Sequence, residues 1–248
     1  MSYCLGIKTH EGLVLASDSR TSAGDQVSLC QKMHTFVVPG ERVFILLTSG
    51  SLSLSQSVIT LLRKEFDAGE GLAVAESLYE AARVVGAMVR RVSDIDRQFL
   101  ERDKLSFNCH FVMGGQIKGE DPDLYLIYPP GNPLASSIDS PYLQIGESKY
   151  GRPILDRGIK YDSTSLEAAA KYALISLDST MRSNSTVGPP VDLLLYRAGD
   201  LEIKRHRRLV ASDPDLKEIH VRWEQSLRKA LTELPPIHFD EVQNQIEA

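Results

Sequence analysis

Residues 1–24 read MSYCLGIKTHEGLVLASDSRTSAG and predict a β-hairpin at the start of the chain. Two short strand-forming runs, YCLGIKT and GLVLASDS, are joined by HEG, which supplies a turn glycine at Gly12. A strand beginning this early would hold the second residue, Ser2, in a fixed position. We therefore expect the first residues to belong to a functional site rather than to an unstructured tail.

Further along the chain, strands and helices occur in groups. TFVV and RVFILLTSG predict a second strand pair that turns at PGE, after which the apolar period becomes helical. SLSQSVITLLRKEF and LAVAESLYEAARVVGAMVRRVSDIDRQFLE predict two helices. The second helix carries an apolar stripe. The stripe consists of Val74, Leu78, Ala81, Val85, Met88 and Val92.

The same grouping continues to the end of the chain. Strand character returns at FNCHFVMGG and DLYLIYPPG, LEAAAKYALISLDSTM predicts a third helix, and VDLLLYRAGDLEIKRH predicts a hairpin turning at AGD. DLKEIHVRWEQSLRKALTEL predicts a charged helix that ends before Pro235 and Pro236. Strands grouped in this way favour an α+β fold: a four-layer αββα sandwich of two antiparallel sheets flanked by helices.

Composition excludes several classes of partner. The 248 residues carry a formal net charge of -5, and the basic cluster KRHRR at 204–208 is more typical of a solvated strand end than of a nucleic-acid surface. No apolar run approaches the roughly 18 residues of a membrane span, and no export signal precedes the first strand. Cys4, Cys30 and Cys109 lie in apolar runs and are interpreted as reduced core residues. We expect a cytoplasmic protein without nucleic-acid or membrane partners.

The common catalytic motifs are missing, and the pattern predicts neither a cofactor nor a metal site. GESKYG at 146–151 is one residue too long for a nucleophile elbow. The start of the chain can supply a catalytic nucleophile instead, because aminopeptidases remove Met when a small residue follows it. Ser2 would then carry a hydroxyl and a free α-amine, whose ordinary pKa of about 8 suits a base near neutral pH.

The sequence resembles the β-type proteasome subunits, which are N-terminal-nucleophile hydrolases, and among them it is most similar to the bacterial Anbu (ancestral β-subunit) branch. The resemblance covers roughly residues 2 to 210. It rests on the order of several segments, each weak alone. They are SYCLGIKTHEGLVLASDSRTSAG, QKMHTF, LLTSGSLSLSQ, DLYLIYPPGN, YLQIGESKYGRPIL and ALISLDSTMRSN.

The resemblance implies roles for four residues. Ser2 corresponds to the family's terminal threonine, which is the nucleophile. Asp18 corresponds to the family's acid, and Lys32 corresponds to the lysine whose ammonium lowers the pKa of the nucleophilic hydroxyl. Gly50 corresponds to the glycine whose backbone N–H faces the oxyanion. From the residues alone, Asp18 and Lys32 could also form a surface ion pair, and Gly50 could mark a simple strand-to-helix turn.

The sequence also departs from the family pattern. Serine lacks the β-branch that fixes χ1 of threonine. Glu147, with Ser148 beside it, stands where the family has a serine between glycines, and a glutamate there would raise the pKa of the terminal amine. Asp178 and Ser183 are the nearest equivalents of a further supporting pair, although Asp178 could equally be a helix-terminal polar residue.

Two regions follow from the resemblance: residues 1–210 as the proteasome β-subunit-like domain and residues 211–248 as a C-terminal helical extension and tail. No flexible linker separates them. The extension carries an apolar stripe that could pack on its own domain or, as we slightly favour, on a neighbouring subunit. The stripe consists of Ile219, Trp223, Leu227 and Leu231.

The leading hypothesis is a cytosolic hydrolase that cleaves peptide or amide bonds through Ser2 after Met1 removal, within a homo-oligomeric ring or open spiral. The activity could be weak. Two alternatives stay open: a largely inactive assembly scaffold, and an enzyme that forms amide bonds or cleaves small amides. Substrate side-chain preference is not predicted, because pocket walls would come from loops. The sequence also does not predict an ATPase partner.

Overall fold

The computed structural model describes residues 2–23 and 26–239. Its strands are β1 Tyr3–Thr9, β2 Gly12–Asp18, β3 Arg20–Ala23, β4 Gln26–Leu29, β5 Met33–Val38, β6 Arg42–Gly50, β7 Cys109–Ile117, β8 Asp123–Ile127, β9 Pro133–Ala135, β10 Tyr142–Gly146, β11 Val191–Arg197 and β12 Arg205–Leu209. Its α-helices are α1 Leu52–Asp67, α2 Leu78–Arg102, α3 Arg152–Gly158, α4 Leu166–Ser183 and α5 Pro214–Thr232. Met1 and the tail from residue 240 lie outside the described residues.

Two five-stranded antiparallel sheets form the middle of the molecule. One has the order β10-β1-β2-β11-β12, and the other has the order β5-β6-β7-β8-β9. Helices α3 and α4 cover the outer face of the first sheet, and α1 and α2 cover the outer face of the second. The predicted α+β sandwich with four layers is confirmed.

The alternation of β1 and β2 explains this layering. Along β1, Leu5 and Ile7 point into the core under α4, whereas Cys4 points into the core between the sheets. Along β2, Val14 points into the core under α4, and Leu15 points into the core between the sheets. Because successive strand residues point to opposite faces, a strand buried on both faces supplies two cores at once. The first hairpin is therefore a central element of the fold, as the sequence predicts.

Helix α2 begins later than its apolar pattern predicts. The side chain of Ser77 accepts a hydrogen bond from the Glu80 backbone N–H at 3.1 Å, which caps the helix and places Leu78 at its first turn. Gly71–Ala73 forms a separate 3-10 turn before it. The prediction that Val74 belongs to the buried stripe is wrong, since its side chain is 60% exposed outside the helix.

The segment after β2 forms a two-stranded ribbon, in which β3 pairs with β4. Cys30 directly follows this ribbon. The interpretation of Cys30 as a core residue is wrong: it is half-buried, and its Sγ lies 3.7 Å from Thr21 Oγ1. Cys30 lies in the loop between β4 and β5, so the alternation of strand residues does not determine which way its side chain points. Cys4 and Cys109 are buried as predicted.

The basic cluster lies on β12 and is matched by acidic side chains. Arg208 pairs with the buried Asp192 at 2.7 Å, and Arg207 pairs with Asp213 at 3.1 Å. These partners favour the interpretation as a solvated strand end. None of the helices between residues 2 and 239 is long and apolar enough to cross a bilayer.

Helix α5 is only partly docked. Near its start, Leu216 is buried and Ile219 packs on the same core as α4. Further along, Leu227 and Leu231 are 51% and 70% exposed. Ile219, the first residue of the predicted stripe, therefore packs on its own chain, whereas Leu227 and Leu231 face outward.

Candidate active site

Ser2 is held at the beginning of a central strand. It directly precedes β1, which lies between β10 and β2, and the residue is only 9% exposed. Its backbone carbonyl accepts a hydrogen bond from the Glu147 N–H at 2.7 Å, and its neighbour Tyr3 is in register with Gly146. The backbone of Ser2 is therefore fixed against the end of β10.

Asp18, the last residue of β2, joins this start of the chain to Lys32. Its Oδ1 accepts hydrogen bonds from the Tyr3 backbone N–H at 3.0 Å and from Lys32 Nζ at 2.6 Å. Its Oδ2 accepts from the backbone N–H groups of Arg20 at 3.1 Å and Gly188 at 3.2 Å. Four donors satisfy a carboxylate that is completely buried, as a buried charge requires.

Lys32 is buried together with its partner. Its side chain is 3% exposed, and its Nζ donates a second hydrogen bond to the Arg20 carbonyl at 2.5 Å. The alternative of a surface ion pair is wrong, because neither side chain reaches solvent. Lys32, Ser2 and Gly50 line one narrow concavity of only about 10 Å³. A buried ammonium in that concavity favours negative charge on a nearby hydroxyl oxygen.

Gly50 ends β6 in a conformation that other residues rarely adopt. Its φ is +105°, and a Cβ at this position would collide with the Asn108 carbonyl oxygen. That carbonyl accepts a hydrogen bond from the Ser51 N–H at 2.7 Å, where the chain enters α1. Gly50 therefore both makes the turn into α1 and lines the concavity beside Ser2.

Glu147 lies closer to Ser2 than its neighbour Ser148. Besides the backbone contact to Ser2, the Glu147 side chain is buried, and its Oε2 accepts a hydrogen bond from Asn184 Nδ2 at 3.2 Å. Ser148 is half-buried, and its carbonyl accepts from the Arg152 N–H at the start of α3. Asn184 was not among the predicted residues, although it adjoins Ser183 in the segment RSNS.

The other two predicted supporting residues lie away from this group of contacts. Asp178, within α4, has its Oδ1 2.9 Å from His220 Nδ1 of α5. Ser183 is the exposed last residue of α4. The structure therefore brings together Ser2, Asp18, Lys32, Gly50 and Glu147, but it gives Asp178 a contact with the C-terminal helix instead.

A larger cavity of about 550 Å³ also opens at Ser2. Its walls come from β3, β6, β7, β8 and β10, through residues far apart in the sequence, and not from loops alone. The pKa of His110, on β7, is lowered because burial disfavours the charged imidazole. The wall residues beyond Ser2 and Gly50 include Asn108, His110, Leu126, Tyr128 and Gln144. The volume is within the range of small-ligand and peptide-binding clefts.

The chain is similar to known proteins over most of its length. The family model for "Proteasome subunit" matches residues 2–194. A proteasome subunit beta of Haloferax volcanii is 29% identical over 206 residues, covering 82% of this chain and 76% of that protein. The structure of Anbu (ancestral beta-subunit) from Yersinia bercovieri is 40% identical with a TM-score of 0.89, covering 96% of this chain and 100% of that chain.

A second solved structure bears on assembly. The helical assembly of the Anbu complex from Pseudomonas aeruginosa contains a chain that is 42% identical to this one, with a TM-score of 0.90. The match covers 95% of this chain and 98% of that chain. The α5 region is therefore included in the shared fold, beyond the part that the family model matches.

Proposed function

The chain belongs to the proteasome subunit family, and from that membership and its buried site we propose that it cleaves peptide or amide bonds through Ser2. One observation carries this proposal. A single carboxylate oxygen of Asp18 binds both the Lys32 ammonium and the N–H of the residue next to Ser2. An ammonium, a carboxylate and the strand start are thereby fixed relative to one another, as an activated nucleophile requires.

The proposed reaction begins with removal of Met1, which frees the α-amine of Ser2. The Ser2 Oγ attacks the substrate carbonyl and passes its proton to this amine, directly or through a water molecule. The Gly50 N–H stabilises the oxyanion, and Lys32 favours the developing charge on Oγ. The C–N bond then breaks, the leaving amine takes up the proton, and water hydrolyses the ester on Ser2.

Glu147 would modify this reaction through charge. Its backbone is bonded to Ser2, and its side chain is buried beside Asn184. A carboxylate at this position attracts a proton to the terminal amine and so opposes the amine's role as base near neutral pH. We therefore expect slower turnover than a site with a neutral hydroxyl there would show.

The proposal includes assembly and location. A chain of this fold forms a helical assembly in Pseudomonas aeruginosa, which supports a homo-oligomer, and the exposed half of the α5 stripe offers an apolar surface to a neighbouring subunit. A cytoplasmic location, and the division at residues 210 and 211 into a hydrolase domain and an extension, belong to the same proposal. An inactive scaffold is the alternative that Glu147 favours.

The test compares the wild-type protein with Ser2→Ala on a peptide library. We expect slow cleavage by the wild type, none by Ser2→Ala, and the same assembly size for both by light scattering. Equal turnover by the two proteins would exclude Ser2 as nucleophile. Normal assembly with no turnover by either protein would favour the scaffold.

A further inference from the structure

Two concavities meet at Ser2, and they differ greatly in size. The one shared with Lys32 measures about 10 Å³, which is room for about one water molecule. The other measures about 550 Å³. Beside Lys32 a substrate therefore has room for little more than a glycine or a similarly small residue, whereas a larger side chain fits only into the larger cavity.

The side chains that line the larger cavity carry no formal charge. Among the described residues that line it, no Asp, Glu, Lys or Arg occurs, and its one ionisable imidazole, His110, is partly buried. The Lys32 ammonium is not available to the larger cavity, because its side chain is 3% exposed, is bonded to Asp18, and lines only the smaller concavity. The α-amine that Met1 removal frees at Ser2 already has the Glu147 carboxylate beside it in the proposed site. A charged substrate side chain entering the larger cavity would therefore lose hydration without meeting an unpaired counter-ion.

Neutral hydrogen-bonding groups line the walls instead. Asn108 contributes an exposed carboxamide, and Tyr128, which contributes a phenol, is 37% exposed. Gln144 Nε2 donates to the Tyr3 hydroxyl, so the amide oxygen of Gln144 is left to accept another bond. Carboxamide and hydroxyl groups both donate and accept, and they match a substrate group with the same capacity.

Together these observations assign a substrate class. We propose that the cavity selects peptides in which a neutral, hydrogen-bonding side chain, above all the carboxamide of Gln or Asn, flanks the scissile bond opposite a small residue. The inference rests on the proposed function of Ser2, but it concerns binding and so can be tested apart from cleavage. Acidic and basic side chains are both disfavoured, because neither sign of charge finds a partner in the cavity.

The test uses N-acetylated, glycine-rich peptides with one varied residue: Gln, Glu or Lys. Cleavage by the wild type is measured in parallel with calorimetric binding to Ser2→Ala, which cannot turn the peptides over by the proposed route. We expect the Gln peptide to exceed both charged peptides by about tenfold or more in both assays, since an unpaired buried charge is costly.

Charge placed in the cavity should redirect this preference. His110→Lys, and independently Tyr128→Lys, should bring the Glu peptide at least level with the Gln peptide. His10→Lys adds the same charge at the distant β1–β2 turn, where His10 is exposed, and should leave the order unchanged. Two independent variants keep the test valid if one of them folds poorly.

The outcomes separate the two proposals. Cleavage without a preference for Gln, or a preference unaffected by both cavity lysines, overturns the substrate inference while the proposed function stands. Selective binding of the Gln peptide without cleavage supports the substrate inference while the proposed function fails. An absence of both cleavage and binding contradicts both proposals.

Discussion

Asp18 and Lys32 form a buried ion pair with 2.6 Å between Oδ1 and Nζ, at the point where β1 begins and β2 ends. The two residues are fourteen positions apart in the chain, and the β3–β4 ribbon that separates them folds back so that they meet. An isolated buried charge is costly, so each residue requires the other. The predictions below start from this pair.

Replacing Lys32 by Met should abolish most activity. The side chain keeps its length but loses the charge that favours a Ser2 oxyanion, and we expect turnover to fall by about 100-fold or more. The Asp18 carboxylate also loses its counter-ion, which should lower the free energy of unfolding by about 3 to 5 kcal/mol. Steady-state kinetics and urea denaturation measure the two effects.

A double variant, Asp18→Asn with Lys32→Met, separates stability from catalysis. It removes both charges, and the new carboxamide oxygen can still accept the Tyr3 N–H, so we expect much of the lost stability to return while activity stays low. Lys8→Met is the control for losing an ion pair elsewhere, because Lys8 pairs with Asp123 at 2.8 Å far along β1. Recovery of activity in the double variant would argue against a catalytic Lys32.

Gly50→Ala should destabilise the protein more than Gly40→Ala. Both glycines have positive φ, +105° and +76° respectively, but a Cβ at residue 50 collides with Asn108, whereas a Cβ at residue 40 meets nothing within 4 Å. Backbone strain alone costs of the order of 1 kcal/mol or more at either position, and the collision adds to it only at residue 50. Thermal unfolding of both variants measures the difference, and equal losses would show that Asn108 gives way.

Glu147→Gln should increase activity on the acidic side of the pH–rate profile. The amide keeps an oxygen that can accept from Asn184 Nδ2, but it removes the charge that attracts a proton to the Ser2 amine. The acidic limb of kcat/KM should therefore move to lower pH. Glu167→Gln, at an exposed ion pair with Arg205, is the matched control. An unchanged profile would mean that Glu147 has no electrostatic influence on the amine.

His34 should make the fold sensitive to acid. Burial, and secondarily the Arg63 guanidinium, lower the pKa of His34 from 6.5 to about 4. Above pH 6.5 the imidazole is neutral in both states, whereas between pH 6.5 and 4 the unfolded chain binds a proton that the folded chain does not. Stability should therefore fall across this window, by about 2 to 3 kcal/mol in total.

His34→Gln should remove that part of the acid sensitivity. Denaturation midpoints of wild type and variant, measured between pH 7 and pH 4, give the contribution of His34 as a difference, so that other titrating groups cancel. His10→Gln is the control, because His10 is exposed at a turn. Parallel stability curves for wild type and His34→Gln would contradict the prediction.

The fold was predictable where local pattern and tertiary burial agree. The β1–β2 hairpin has both of its faces in cores, so its apolar runs are unmistakable, and the position of Ser2 follows from it. Val74 shows the opposite case. Its spacing fits the α2 stripe, but the cap at Ser77 starts the helix after it, and a single side-chain hydrogen bond outweighs the apolar period.

The site was predictable in part. The segments around Ser2, Asp18, Lys32 and Gly50 resemble a family pattern, and the structure brings these residues together. The Glu147 contact with Asn184 joins a strand end to a helix end, and no local pattern indicates such a pair. The substrate cavity is harder to predict still, because its walls come from five strands that meet only when both sheets and the β3–β4 ribbon have formed.

The central claim is that Ser2, freed of Met1, is the nucleophile. Intact mass spectrometry tests it most directly, before and after reaction with a peptide epoxyketone that bonds to a hydroxyl and an α-amine on the same residue. The account predicts a starting mass without Met1 and one adduct, mapped to Ser2 and absent from Ser2→Ala. Retention of Met1 in the purified protein, or an adduct on another residue, would contradict it.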